Sequence, residues 1–377
     1  MRIVLIRQRY RPDGGAERFV ARAAEALGEQ GVELTLISRH WPKTDAHLRH
    51  VRCDPWYWGG LWRDLSFAAC ACRMIRTLSA DLVQAHERIP CCDVFRAGDG
   101  LHREWLYQRR RALGYLGRLR LLFNPHHYYT LWAEARTLTS PRLKAVICGS
   151  QMVRDEILAH FPIAPEKLHV LYNGIDCEHF HPRLQATHRV AVRAELAIPE
   201  DLPLFVFVGS GFQRKGLDAT LRALATLPAD AGLLVVGQDK RQAAYVHLSS
   251  ELGVGKRVWF VGRQEDPRPF YGAGDAFVLP ALYDPSPNVI LEAMACGLPV
   301  IASPKCGTAE LICEGQTGFV RDALDMRGLA TAMTVLLNKE TSTAMGTAAR
   351  TTILPYDLAQ MGERFVRFYK DLLHTPV

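Results

Sequence analysis

The chain has no apolar run near the ~18 residues that cross a bilayer. Its first apolar stretch, residues 3–6, sits between Arg2 and Arg7 and is shorter than the ~7 to 15 residues of a signal-peptide core, so a cytosolic address is expected. None of the ten cysteines forms a C-x-x-C pair, and Cys70/Cys72 and Cys91/Cys92 fall in apolar stretches, where they read as free thiols behaving as small hydrophobes. No D-x-D occurs, which removes the paired carboxylates that often hold a divalent cation. The histidine pairs His126/His127 and His179/His181 have no further ligands at convincing spacing, so no metal is expected. G-x-G-x-x-G is also missing, which disfavours a nicotinamide dehydrogenase.

What is present describes an ordinary globular protein of two domains: 377 residues, 48% hydrophobic and 23% charged. The net charge of +7 is uneven, because residues 1–180 hold 26 Lys and Arg against 19 Asp and Glu, while residues 181–377 hold 20 of each. Within residues 101–132 six arginines (Arg103, Arg109, Arg110, Arg111, Arg118, Arg120) face one acid, Glu104, and are interleaved with aromatic and leucine side chains. Such a surface suits an anionic partner, either lipid headgroups or nucleic acid.

Short apolar runs at 3–6, 32–37, 82–85, 146–148 and 168–171 alternate with stretches of helical period, among them 16–30 and a helix at 151–160 capped by Ser150. A second series of runs begins at 204–208 and continues at 233–236, 258–261, 276–279, 299–302 and 318–320. The fold class is therefore α/β, with two doubly wound parallel sheets. The expected domains are 1–173 and 174–355, followed by a closing helix at 356–377 that lies across their junction. Ligands of such sheets bind beyond the carboxyl ends of the strands, so the loops there carry the chemistry.

Three loops stand out. Gly14 and Gly15 follow the first strand and let a ligand approach the backbone closely, although a plain tight turn explains them as well. The segment Gly209-Ser210-Gly211-Phe212-Gln213-Arg214-Lys215-Gly216 combines small residues with two cations and suits a diphosphate. The third, from Pro280 to Val300, places Asp284 eight positions before Glu292, with a helix opening at Asn288 and Val289. Such a helix N-terminus can hold a phosphate, with Glu292 placed to accept hydrogen bonds from a ribose diol and Asp284 from sugar hydroxyls.

The carboxylate-x7-Glu loop, Glu292-Ala293-Met294-Ala295-Cys296-Gly297-Leu298-Pro299-Val300 and Gly-x-Gly-x-x-Arg-Lys-Gly together resemble the retaining, nucleotide-sugar-dependent glycosyltransferases of family 4. The resemblance covers nearly the whole chain and implies the GT-B fold, two facing Rossmann-like domains with a C-terminal helix crossing back. Residues 208–216 and 235–240 are most similar to members that move glucose from UDP-glucose to an inner-core heptose of lipopolysaccharide. Residues 101–132 resemble the membrane-interacting region of those members and imply peripheral contact with the cytoplasmic face of the inner membrane.

The resemblance makes Arg214 and Lys215 the stabilisers of departing UDP. It places the backbone of Arg263 at the nucleotide base, beside the competing reading of a plain exposed arginine, and gives Asp99 a role in binding or deprotonating the acceptor, beside the competing reading of a surface turn. No cofactor is implied beyond the UDP-sugar donor. Two departures stand out: Asp284 replaces the usual Glu, and Phe19 occupies the position of an acid shortly after Gly14-Gly15. A family 4 enzyme using GDP-mannose or UDP-N-acetylglucosamine for capsule or O-antigen is the nearest alternative. A basic nucleic-acid-binding protein is the second, though no nucleic-acid fold is recognisable around the arginines.

Overall fold

The computed structural model describes residues 1–9, 28, 31–41, 48–227 and 231–374. Gly14, Gly15 and the helix expected at 16–30 lie outside the described residues, apart from Gly28, which is helical. The chain forms two compact units. One comprises Met1–Asn173 together with Leu358–Val377, and the other comprises Gly174–Asp357.

The first unit is built on seven parallel strands: β1 (Arg2–Ile6), β2 (Glu33–Ser38), β3 (Leu48–Arg52), β4 (Leu82–Ala85), β5 (Val94–Arg96), β6 (Ala145–Cys148) and β7 (Leu168–Val170). Their order is β3-β2-β1-β4-β5-β6-β7, so the winding reverses at β1 and β4. Successive side chains of a strand alternate between the two faces of the sheet. Val4, Ile6, Val83, Ala85, Val146 and Cys148 pack with Phe67, Ala71 and Ile75 of the helix Gly59–Ile75 and with Val153 and Ile157 of the helix Gln151–His160. Ile3, Leu5, Leu34, Leu36, Leu82 and Ile147 line the other face.

That second face is covered by Met361, Phe365, Val366, Phe368 and Tyr369 of the closing helix Leu358–His374. The helix expected across the junction thus buries its apolar side on the first sheet. Its Tyr369 hydroxyl donates to Gln84 Oε1 at 2.7 Å, which fixes the helix to β4.

Strands β3 and β5 escape the sequence pattern. β3 is an edge strand of sequence Leu-Arg-His-Val-Arg with little burial, and β5 has only three residues. The cysteine reading needs correction: Cys72 and Cys91 form a disulfide, with Cα atoms 5.8 Å apart. The bridge joins the helix Gly59–Ile75 to the loop after β4, a proximity created by packing and invisible in a separation of 19 residues.

The second unit holds six parallel strands: β8 (Leu204–Val208), β9 (Gly232–Val236), β10 (Val258–Gly262), β11 (Ala276–Leu279), β12 (Val300–Ala302) and β13 (Gly318–Val320). Their order is β10-β9-β8-β11-β12-β13, with the reversal at β8 and β11. β8, β9, β11 and β12 are buried along their whole length, as expected of central parallel strands with both faces covered. The loops after β8 and β11 are therefore neighbours, and they carry most of the residues singled out in the sequence.

Candidate active site

The loop after β8 folds as it does because glycine occupies its tight places. Gly216 has φ +81°, and a Cβ there would overlap the Pro280 carbonyl oxygen. Gly209 leaves space for the Lys215 stem, whose Cε would lie 3.2 Å from an added Cβ. Between them one helical turn, Phe212–Lys215, is anchored by the buried Phe212 ring and by Phe212 N–H donating to Asp239 Oδ2 at 2.8 Å. Leu282 N–H donates to the Arg214 carbonyl at 2.8 Å, tying this loop to the one after β11.

That tie brings the predicted residues together. Lys215 Nζ contacts Asp284 Oδ2, and Arg214 Nη1 lies 3.5 Å from Asp284 Oδ1. Asp284 is held through its backbone as well: its N–H donates to the Lys305 carbonyl at 2.8 Å, and its carbonyl accepts from Gly307 N–H at 2.8 Å. Burial by itself would raise the Asp284 carboxyl, but Lys215 and then Arg214 outweigh it and hold the pKa below the ordinary carboxylate value. Asp284 is therefore ionised at neutral pH. Arg214, whose side chain is 40% exposed, keeps a face open to solvent.

Asn288 and Val289 begin the helix Asn288–Ala295, and both are buried at its first turn. Glu292, one turn on, is buried and accepts a hydrogen bond from the Tyr271 hydroxyl at 2.9 Å on Oε2. Tyr271 carried no signal in the sequence, because its partner comes from a different helix. Arg263 stands exposed just past the end of β10, the edge strand, with β9 between it and β8.

Asp99 belongs to the other unit. Its carboxylate is 58% exposed and lies 3.7 Å from Arg7 Nη1, which also reaches Glu87 Oε1 at 3.4 Å. Gln8 N–H donates to Glu87 Oε1 at 3.0 Å. Arg7 and Gln8 follow β1, and Glu87 lies just past β4, so this charged group sits at the first sheet's own reversal point. Arg7 and Glu87 were missed in the sequence, although the strand order alone would have singled them out. Beside them the buried Glu134 accepts from Arg88 Nε at 2.9 Å and from His102 N–H at 2.8 Å.

His86 is buried and hydrogen-bonded to Gln84 at 3.1 Å. Burial, then Arg96 and Arg7, depress its pKa, so it stays neutral and structural. His127 pairs with His102 at 3.0 Å, and His126 pairs with Asp64 at 3.0 Å. His179 is held in a local turn by Asp176, at 2.6 Å.

Two family models match the chain. "Glycosyltransferase Family 4" matches residues 13–179 and "Glycosyl transferases group 1" matches residues 189–352. The chain belongs to this glycosyltransferase family, and its fold is GT-B. Among curated relatives, it is 27% identical over 328 residues to the lipopolysaccharide glucosyltransferase WaaG of Escherichia coli, a match covering 83% of each chain. The crystal structure of WaaG, a glycosyltransferase involved in lipopolysaccharide biosynthesis, superposes with a TM-score of 0.84 at 24% identity, covering 97% of this chain and 99% of that one. A structure of Anabaena Alr3699/HepE in complex with UDP-glucose gives a TM-score of 0.74 at 20% identity, covering 98% and 100%.

Proposed function

We propose that the protein transfers glucose from UDP-glucose to an inner-core heptose of lipopolysaccharide, with retention of the anomeric configuration. The observation that carries this reading is the cationic pair Arg214 and Lys215, held against Asp284 by the loops after β8 and β11. The relative WaaG supports the acceptor class, and Alr3699/HepE supports the donor class.

In this reading Lys215 and Arg214 take the donor's diphosphate and offset the charge that develops as UDP leaves. They do so in place of a resident divalent ion, in keeping with the lack of a D-x-D pair. The first turn of the helix Asn288–Ala295 adds its positive end, Glu292 receives the ribose diol, and the backbone at Arg263 meets the base. Asp284 accepts hydrogen bonds from the hydroxyls of the donor sugar. The bond from the sugar C1 to the diphosphate oxygen breaks, and UDP departs with the electron pair. The acceptor oxygen bonds C1 from the same face and gives its proton to Asp99. Residues 101–132 hold the enzyme to the anionic cytoplasmic face of the inner membrane, where a lipid-anchored acceptor is met.

Asp284 in place of the longer Glu favours one second reading, a donor other than UDP-glucose, such as GDP-mannose or UDP-N-acetylglucosamine. The test is a nucleotide-release assay with a heptose-bearing acceptor and each of the three donors, followed by NMR of the product's anomeric proton. Release of UDP from UDP-glucose with an α-linked product supports the proposal. Selective turnover of another donor replaces it.

A further inference from the structure

A second group of aromatic side chains stands exposed outside residues 101–132. Trp56 and Trp58 are 79% and 85% exposed, and Leu61, Trp62 and Leu65 stand out from the first turns of the helix Gly59–Ile75. Singly scattered surface hydrophobics are ordinary, but five within ten residues form a patch that needs an explanation.

The patch is held rigidly. The buried Arg39 side chain donates to Asp54 Oδ1 at 3.0 Å, the Pro55 carbonyl at 2.7 Å, the Arg63 carbonyl at 2.7 Å and Ser66 Oγ at 3.0 Å. Its guanidinium lies 4.6 Å from the centre of the Tyr57 ring, and Arg9 donates to the Tyr57 hydroxyl at 3.0 Å. Tyr57 is fixed between two tryptophans that remain in solvent. The bonds to Asp54, the Pro55 carbonyl and the Arg63 carbonyl anchor the chain on both sides of the two tryptophans.

This segment adjoins the end of residues 101–132. His126, near the start of the helix Pro125–Leu138, bonds Asp64 at 3.0 Å, and its ring lies 3.7 Å from where a Cβ on Gly60 would stand. Leu122 and Phe123, just before that helix, and Tyr128 and Trp132 on it are all more than half exposed. The two aromatic sets therefore flank a single contact, an arrangement that lets them act together as one apolar apron. Arg103, Arg110, Arg111, Arg118 and Arg120, all exposed, lie on the helices His102–Arg111 and Tyr115–Leu122 that lead into it.

We infer that Trp56, Trp58 and Trp62, with Leu61 and Leu65, form the second half of a docking surface for an anionic lipid bilayer. The inference rests on the reading of residues 101–132 as membrane-facing and extends it to a separate segment. Tryptophan suits this place because its ring is apolar and its N–H stays at headgroup level. The arginines select the occupant: a second copy of this chain would set like charges against each other across a two-fold axis, whereas anionic headgroups complement them.

The experiment is co-sedimentation of the full chain with vesicles of phosphatidylglycerol and phosphatidylethanolamine, and with phosphatidylcholine alone, at several salt concentrations. Three proteins are compared: the natural chain, a Trp56→Ser/Trp58→Ser/Trp62→Ser variant and an Arg118→Gln/Arg120→Gln variant. Melting temperature and UDP binding serve as controls for the fold. The expected result is binding of the natural chain to anionic vesicles, weakened about tenfold or more by the serine changes. Serine changes that leave vesicle binding intact while the glutamine changes weaken it would overturn the inference and leave residues 101–132 as the whole surface. No vesicle binding by the natural chain would remove the membrane reading itself. A dimer dispersed by the serine changes, with vesicle binding unaltered, would assign the apron to self-association and overturn the inference.

Discussion

The Lys215 ammonium and the Asp284 carboxylate are in direct contact, each side chain only 10% exposed. A diphosphate bound at this loop needs the same ammonium, so carboxylate and phosphate compete for it. Asp284→Asn removes the competing charge and keeps the shape. UDP is expected to bind that variant several-fold more tightly, while sugar transfer falls because the carboxylate no longer orients the donor sugar. Calorimetry with UDP and a transfer assay on the same preparation measure both.

The same pair sets a pH dependence. The folded pKa of Asp284 lies below its unfolded value near 3.8, so the stabilisation it contributes is complete above that pH. It is lost as pH falls through the folded pKa. Melting temperatures of the natural chain and of Asp284→Asn are expected to keep a constant difference from pH 7 to about 5, with the difference shrinking below about 4.

Lys215→Ala is expected to lower transfer about a hundredfold or more, the usual cost of removing a charge-stabilising donor. It also takes the close ammonium partner from the buried Asp284 and leaves it the Arg214 guanidinium at 3.5 Å, so stability should drop by about 3 kcal/mol. Urea denaturation gives the second number. The catalytic loss is what the family resemblance implies for Lys215, and the stability loss follows only from the burial of the pair.

Gly216 and Gly211 separate space from backbone strain. Both have positive φ, +81° and +79°, but an added Cβ meets the Pro280 carbonyl at Gly216 and nothing within 4 Å at Gly211. Gly211→Ala should cost about 1 kcal/mol, the price of the left-handed conformation. Gly216→Ala should cost several times more and disrupt the loop that carries Lys215. Thermal melts of the two variants, compared side by side, test this ordering.

In the first unit, Glu87→Gln and Asp99→Asn both loosen Arg7, which lies 3.4 and 3.7 Å from the two carboxylates. Both variants should raise the KM for the acceptor several-fold and leave UDP binding unchanged. Because Asp99 in the proposed mechanism also receives the acceptor's proton, its variant alone should lower kcat.

Much of this was legible in the sequence. Buried parallel strands such as Leu204–Val208 are continuous apolar runs, and the Arg214-Lys215 and Asp284 segments are marked by glycine, proline and charge together. What stayed hidden depends on contacts across the fold. β3 is too polar to show a period, Tyr271 meets Glu292 from another helix, and Cys72 meets Cys91 through packing. The Trp56–Trp58 segment carries no motif, and only its exposure in three dimensions makes it conspicuous.

The most direct measurement of the central claim is a crystal structure with UDP-glucose bound. The account predicts diphosphate oxygens within hydrogen-bond distance of Lys215 Nζ and the Arg214 guanidinium, with the glucose hydroxyls reaching the Asp284 carboxylate. A diphosphate seated away from the loop of residues 209–216, or held by a divalent cation in place of those two side chains, would contradict it.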